Sequence, residues 1–129
     1  MSLNTNAVVY FEIPVNNLPR AADFYKRIFG FVFDTEHFDG NDMAYFPFKD
    51  QVRGITGALA QGATYRPSHN GTLVYFNTSN MESCIELLKA EGAPLLYPPV
   101  YHYDLGFAVA EFEDSEGNRI GLHQLLDNT

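Results

Sequence analysis

Residues 9–30 read VYFEIPVNNLPRAADFYKRIFG, and this stretch decides the fold because it holds a strand, a helix and both helix caps. Asn17 is a good N-cap. Pro19 falls in the first turn, where backbone N–H groups have no acceptor within the helix, so the missing N–H of proline costs no hydrogen bond. Gly30 ends the helix, since glycine adopts the left-handed C-cap conformation at little cost. The apolar residues between the caps recur at helical spacing: Leu18, Ala21, Phe24, Tyr25, Ile28 and Phe29.

The same pattern returns in the other half of the chain. Residues 72–78 (TLVYFNT) form a second β-branched and aromatic run that precedes a second helical pattern. Ser79 and Glu82 have capping-box spacing, and Gly92 ends the helix. Asn17 to Gly30 and Ser79 to Gly92 both span 13 residues, so the landmarks predict an internal repeat displaced by 62 residues.

Each predicted helix is followed by three strand-like stretches separated by turn signals. Asp39-Gly40 marks a hairpin in the first half, and residues 114–118 (DSEGN) form the last turn of the second. Gly57 and Gly121 occupy corresponding places in the last strand of each half. The predicted strands after the helices are 31–37, 43–48, 52–60, 94–98, 106–113 and 119–125.

The sequence therefore predicts an α+β fold of two βαβββ modules. The modules cover about residues 7–60 and 72–125 of one domain, residues 1–129, and the polar stretch 61–71 (QGATYRPSHNG) links them. A four-stranded sheet with one helix on its back leaves its other face open. Two such modules can shield these faces by curving a mixed sheet around a shared cleft, which is a natural site for a small molecule.

Composition and charge narrow the range of partners. Sixteen acidic and eight basic side chains give a formal charge of −8, which disfavours nucleic acid and anionic membrane surfaces. The single cysteine, Cys84, excludes an intrachain disulfide and favours a reducing compartment. No apolar run approaches a membrane span and the N-terminus lacks signal-peptide features, so we expect a cytoplasmic protein.

The repeat and its motifs resemble the vicinal oxygen chelate superfamily, which includes glyoxalase I, extradiol dioxygenases and the bleomycin-resistance protein. The resemblance covers about residues 7–125. It rests on residues 11–18 (FEIPVNNL), 22–25 (ADFY), 30–31 (GF) and 113–124 (EDSEGNRIGLHQ). It implies the glyoxalase/bleomycin-resistance fold and a homodimer.

The resemblance also implies four positions for a metal centre, a His or Gln on the first strand of each module and a Glu on the last. Carried over through the motifs, these positions fall on Tyr10 and Gly57 in the first module and on Thr72 and Gly121 in the second. None is a usual ligand for Ni, Fe, Mn or Zn. We therefore expect a branch without the usual metal ligands and without a cofactor; these positions do not support a divalent metal.

Strand alternation gives the predicted lining of the cleft, because alternate side chains point to the same face. The glycines at the expected glutamate positions would deepen the cleft. The predicted lining residues are Tyr10, Glu12, Gly57, Leu59, Thr72, Val74, Phe76, Gly121 and His123.

Two polar side chains in this lining are candidates for catalysis. Glu12 lies in an apolar strand, so it is either a general base or ligand anchor, or a carboxylate held by neighbours or water. His123 is a proton donor, a lone metal ligand or a packed strand residue. His102 follows two prolines in an aromatic stretch, which is either a lid over the cleft or a surface loop.

The residues named above are compatible with three different functions. The missing ligand positions favour a metal-free protein that binds a small molecule, as in the bleomycin-resistance branch. Glu12 and His123 support the alternative of a lyase or dioxygenase-like enzyme that uses acid–base chemistry or an atypical metal site. An accessory module whose cleft serves another protein is the third.

Overall fold

The computed structural model describes residues 6–127, so residues 1–5 and 128–129 of the predicted domain lie outside the described range. Within it the elements follow one another as two similar series. They are β1 (Phe11–Pro14), α1 (Leu18–Phe29), β2 (Asp34–Phe38), β3 (Asn41–Tyr45), β4 (Gly57–Gln61), β5 (Tyr75–Asn77), α2 (Met81–Ala90), β6 (Leu95–His102), β7 (Phe107–Glu113) and β8 (Arg119–Leu125). No helix in this range is long and apolar enough to cross a membrane.

Each series forms a four-stranded mixed sheet with one helix. The first sheet has the order β1-β4-β3-β2 and the second has the order β5-β8-β7-β6. In both, the first strand runs parallel to the last, and the other pairs are antiparallel. The predicted α+β fold of two βαβββ modules is confirmed.

The structure confirms the predicted caps of the first helix and corrects the predicted N-cap of the second. The Asn17 side chain accepts a hydrogen bond from the Arg20 backbone N–H, and Gly30 has a positive φ of 78°. In the second module the N-cap is Asn80 rather than Ser79, since Asn80 is extended (φ −149°) and its side chain accepts from the Ser83 N–H. Both Ser and Asn are good N-caps, so the sequence alone did not separate them.

A pair of glutamines shows the true displacement of the repeat. Oε1 of Gln61 accepts a hydrogen bond from the backbone N–H of Leu18 at 2.7 Å, and Oε1 of Gln124 accepts one from Met81 at 2.7 Å. Each glutamine thus binds the first residue of its module's helix. These pairs and the two asparagine N-caps are all displaced by 63 residues, one more than the value of 62 predicted from Ser79.

One core joins the two modules. Buried residues of both helices and both sheets belong to a single cluster, including Leu59, Phe112 and Leu122. Aromatic rings bridge the modules at its centre: Phe76 lies 5.4 Å from Phe46 and 5.6 Å from Tyr25, measured between ring centroids. The two modules therefore pack as one unit.

A turn of the second module also holds the start of α1 in the first. Glu116 accepts hydrogen bonds from the backbone N–H groups of Asn16 and Asn17, both at 2.9 Å, and binds Arg20. Asn118 donates to the Pro14 carbonyl at 2.7 Å. These contacts fix the position of the first strand and helix relative to the second sheet.

Several strand ends differ from the predicted ones, and the strand predicted for 52–60 begins only at Gly57. The β-branched and aromatic runs before the two helices, AVVYFEIPV at residues 7–15 and TLVYFNT at 72–78, predict longer first strands than the structure has, which are 11–14 and 75–77. The strand predicted for 94–98 instead continues to His102, so this histidine lies in β6 and not in a lid loop. Irregular pairing occurs around Pro98 and Pro99. An edge strand such as β6 tolerates these prolines because its outer N–H groups need no partner.

Candidate functional site

A cavity of about 910 Å³ lies between the two modules, along the edge strands β1 and β5. Its volume is within the range of sites that hold drug-sized molecules. Residues of β1, β5, the loop before β4 and the link between the modules surround it. The lining residues are Val8, Tyr10, Phe11, Glu12, Ile13, Pro14, Phe31, Phe46, Pro47, Arg53, Gly54, Ile55, Thr56, Arg66, Ser68, Asn70, Thr72, Leu73, Val74, Tyr75, Phe76, Asn77, Asn118, Arg119 and Ile120.

Aromatic rings supply much of the apolar wall. Phe11 lies 5.5 Å from Phe46 and 6.1 Å from Phe76 between ring centroids, and Phe31 lies 5.4 Å from Phe46. All four rings line the cavity. Such a wall favours a flat apolar or aromatic ligand.

Glu12 lies at this cavity as the centre of a small hydrogen-bonded cluster. Its carboxylate accepts hydrogen bonds from the hydroxyls of Tyr10 at 3.0 Å and Tyr65 at 2.5 Å. Partial burial and the hydrogen bond to Glu12 raise the pKa of Tyr10, and the bond to Glu12 raises that of Tyr65. Both phenols therefore stay protonated at neutral pH and hold the carboxylate in place.

Five of the predicted lining residues surround the cavity: Tyr10, Glu12, Thr72, Val74 and Phe76. The structure differs from the prediction at Leu59, which is fully buried in the core that faces the helices. Leu59 pairs with Ile13, one residue beyond Glu12, so its side chain points to the opposite face from Glu12.

Gly57 also lies away from the cavity lining. It pairs with Phe11, and a Cβ on Gly57 would collide with the backbone carbonyl of Phe11. The glycine thus permits the close approach of β1 to β4 and does not deepen the cleft.

The other predicted residues gather on the second sheet. His123 stacks on Phe107 at 5.8 Å between ring centroids, and His102 lies 5.1 Å from the same ring. Gly121 is buried beneath Tyr75, where a Cβ would meet the tyrosine ring. Nδ1 of His123 is 3.1 Å from Oδ1 of Asn77.

Glu12 and His123, the two residues that the enzyme alternative would use, have separate surroundings. Glu12 lines the cavity and is held by two tyrosines, whereas His123 is outside the lining and contacts Asn77 and Phe107. No hydrogen bond or ion pair within residues 6–127 joins them.

Three arginines line the cavity, and the sequence reading did not single them out. Arg119 forms an ion pair with Glu111 at 2.7 Å. Arg53, in the loop before β4, and Arg66, in the link, line the cavity without a hydrogen bond or ion pair to the residues that the structure describes. The predicted strand 52–60 included Arg53, which the structure places in a loop, and the link that holds Arg66 carries no periodic pattern, so only their charge, opposite to that of the acidic chain, was available as a signal.

The residues at the implied metal positions do not fit a metal ion. The displacement of 63 residues relates Tyr10 to Leu73 and Gly121 to Ala58, so the positions predicted from the sequence, Thr72 and Gly57, were each one residue away. None of the four side chains is a common ligand of a divalent metal. Among the described residues, no group of three or more His, Cys, Asp or Glu side chains could hold an ion.

The fold described above is shared with a known group of proteins. The model of the Glyoxalase/Bleomycin resistance protein/Dioxygenase superfamily matches residues 7–122. The chain belongs to this superfamily. A comparison with curated proteins found no match.

Solved structures within the superfamily share the fold at low sequence identity. A glyoxalase I mutant from Zea mays superposes with a TM-score of 0.72 at 15% identity, over 92% of this chain and 45% of the maize chain. This chain thus spans less than half of the maize enzyme. A glyoxylase/bleomycin resistance protein/dioxygenase domain from Frankia sp. EAN1pec has a TM-score of 0.71 at 17% identity, over 99% and 96% of the two chains.

A third similar structure is described as an antibiotic binding protein. TnmS3 from Streptomyces sp. CB03234 superposes with a TM-score of 0.66 at 21% identity, over 96% of this chain and 99% of its own. At this identity the likeness concerns the fold.

Proposed function

We propose that this member of the superfamily binds a small molecule in the cavity between its modules, without a metal ion and without chemical conversion. The observation that carries the proposal is the cavity of about 910 Å³ with its wall of four phenylalanine rings. Apolar walls with a few polar groups are typical of sites for small organic molecules.

Two further observations support binding over catalysis. The side chains at the implied metal positions are unsuited to ligation, and the similar fold of TnmS3 belongs to an antibiotic binding protein. The enzyme alternative would use Glu12 and His123, but no contact brings these residues together. Glu12 is better placed to anchor a ligand, because it lines the cavity and is held by Tyr10 and Tyr65.

The proposal includes a homodimer, which the superfamily resemblance implies. Large apolar side chains are exposed on the second sheet: Tyr75 is 49% exposed and Leu125 is 75% exposed. Burial of such residues in an interface would remove apolar surface from water. Light scattering after size-exclusion chromatography tests this part separately, since a monomeric mass would contradict the dimer alone.

The binding test uses phenylnaphthylamine, a neutral aromatic dye whose fluorescence rises in apolar sites. We expect saturable binding of the dye to the full chain. Thr72→Trp would place an indole ring in the cavity and weaken binding at least about tenfold, or ~1.4 kcal/mol. Thr64→Trp is the matched control, since Thr64 is an exposed threonine in the preceding link and does not line the cavity.

The outcomes separate binding from other functions. Absence of dye binding, or equal binding by the wild type and Thr72→Trp, would contradict a ligand site in this cavity. Incubation with a panel of oxygenated aromatic compounds, followed by mass spectrometry, tests for turnover. Recovery of bound compounds unchanged agrees with a binding protein, whereas a product whose formation needs Glu12 would favour the enzyme.

A further inference from the structure

We infer that the ligand of this cavity carries an anionic group, such as a carboxylate, sulfonate or phosphate, bound at Arg53 and Arg66. The inference rests on the proposed function and adds the chemical class of the ligand. It joins an apolar or aromatic body, which faces the phenylalanine wall, to one negatively charged end.

The two arginines are available because nothing in the described part of the chain pairs with them. Arg20, Arg27 and Arg119 each form an ion pair with a glutamate at 2.6–2.7 Å. Arg53 and Arg66 form none within residues 6–127, although sixteen acidic side chains outnumber eight basic ones in this chain. In so acidic a protein, two unpaired guanidinium groups that line the same cavity indicate a partner supplied from outside.

The position of the arginines suits one end of a ligand. Arg53 comes from the loop before β4 in the first module, and Arg66 comes from the link between the modules, so two separate segments of the chain contribute a cation. Both residues are exposed, which places them at the mouth of the cavity, whereas Phe46 and Phe76 on its wall are buried. A guanidinium group binds a carboxylate, sulfonate or phosphate through charge-assisted hydrogen bonds.

The link that carries Arg66 is held in place near the cavity. The backbone N–H of Ser68 donates to Oδ1 of Asn118 at 3.1 Å, and the Arg119 N–H donates to the Ser68 carbonyl at 3.4 Å. Ser68, Asn70 and Thr72 also line the cavity and offer polar groups beside the arginines. A fixed segment loses less conformational freedom when it binds a ligand.

Glu12 is the only carboxylate among the lining residues that the structure describes, and its negative charge cannot bind an anionic group as the arginines can. Glu12 accepts two tyrosine hydroxyls, which occupy part of its capacity for hydrogen bonds. Because Glu111 compensates Arg119, two arginines remain against this one glutamate, so the charge of the lining is positive while that of the whole chain is negative. Anionic ligands are therefore favoured inside the cavity, against the field of the protein surface.

A matched pair of dyes tests the inference. Anilinonaphthalene sulfonate and phenylnaphthylamine share one ring skeleton, and only the first carries a sulfonate. We expect the wild type to bind the sulfonate at least about tenfold more tightly, a difference of ~1.4 kcal/mol. The Arg53→Gln/Arg66→Gln double variant is expected to bind the two dyes with similar affinity, so that the preference for the sulfonate is lost.

Two controls tie the preference to the cavity and to these arginines. Lys49→Gln removes one positive charge from the same loop as Arg53 at a position outside the lining, so the preference is expected to remain. Thr72→Trp is expected to weaken binding of both dyes, which excludes binding of the sulfonate elsewhere on the surface.

The outcomes distinguish this inference from the proposed function. Equal affinity of the wild type for both dyes would overturn the anionic ligand and leave a small-molecule site standing. A preference that survives in the double variant would overturn the assignment to Arg53 and Arg66. Failure of both dyes to bind would contradict the proposed function itself.

Discussion

The hydroxyl of Tyr25 in the first module donates a hydrogen bond to Oδ2 of Asp114 in the second at 2.8 Å, and both residues are buried. Burial raises the pKa of Asp114, although hydrogen bonds from Asn118 and Tyr25 offset part of this shift. The bond therefore supports a costly buried acid at the junction of the modules.

Removal of this hydroxyl is expected to destabilise the protein. Tyr25→Phe leaves the buried Asp114 without one donor and should lower the free energy of unfolding by about 1–3 kcal/mol. Urea denaturation at neutral pH measures the change. Tyr103→Phe, at an exposed tyrosine without a hydroxyl partner among the described residues, should change it by less than about 0.5 kcal/mol. Equal effects of the two substitutions would contradict the role of the buried bond.

The stability supplied by Glu116 is expected to depend on pH. Burial raises the pKa of this carboxyl, but Arg20, Ser115 and the backbone N–H groups of Asn17 and Asn16 together lower it below its ordinary value of 4.5. A lowered pKa means that the folded state prefers the ionised form. The contribution is therefore complete above pH 4.5 and is lost as the pH falls through the folded-state pKa.

Glu116→Gln tests this dependence. At pH 7 the variant should be less stable than the wild type by about 2 kcal/mol, because several charge-assisted hydrogen bonds are weakened. Urea denaturation between pH 7 and pH 3 should show this difference shrinking below pH 4.5. Glu86→Gln, an exposed change on α2, should show a small difference throughout. A difference for Glu116→Gln that is constant with pH would contradict the linkage.

Gly57 and Gly121 are expected to differ in their tolerance of a methyl group. An alanine at Gly57 meets the carbonyl oxygen of Phe11, which the sheet holds, so Gly57→Ala should cost more than about 2 kcal/mol. At Gly121 the neighbour is the ring of Tyr75, which is half exposed and can turn away. We expect Gly121→Ala to cost about 1 kcal/mol.

A second substitution at each site separates the two causes. Tyr75→Ala removes the ring and should relieve most of the cost of Gly121→Ala, whereas Phe11→Ala leaves the carbonyl in place and should not relieve that of Gly57→Ala. Thermal and urea denaturation of the four variants supply the comparison. Relief at both sites would show that the side chain of Phe11, and not its backbone, is the obstacle.

Metal content provides a further prediction. Purified untagged protein, prepared without chelators, should contain well below one Ni, Fe, Mn or Zn ion per chain by inductively coupled plasma mass spectrometry, because Tyr10, Ala58, Leu73 and Gly121 offer no suitable ligand set. Treatment with EDTA should leave the melting temperature unchanged. One ion per chain, with a lower melting temperature after EDTA, would contradict a metal-free protein.

The architecture was accessible from the sequence because the signals that define it are local. Asn17, Pro19 and Gly30 mark the first helix, and the predicted strand 119–125 matches β8 in full. The repeat then made the second module a copy of the first. The capping-box spacing of Ser79 misled by one residue, because the side chain that caps the helix belongs to Asn80.

The site was harder to predict because a shift of one residue reverses the face of a strand. The helix landmarks suggested a displacement of 62 and the two glycines one of 64, whereas the glutamines and N-caps lie 63 apart. This error placed Leu59 in the cleft, although it belongs to the core. Arg53 was missed because the predicted strand 52–60 included it, whereas β4 begins at Gly57, and Arg66 was missed because residues of the link follow no periodicity.

The turn that holds Glu116 makes the first module dependent on a late part of the chain. During synthesis, residues 6–61 leave the ribosome about fifty residues before Asp114, Glu116 and Asn118, which bind Tyr25, the start of α1 and β1. Until then the first helix lacks these partners, and the hydroxyl of Tyr25 lacks its native acceptor, Asp114. The last two strands and their turn thus complete the first half of the molecule, so the first module reaches its native state only after this turn has left the ribosome.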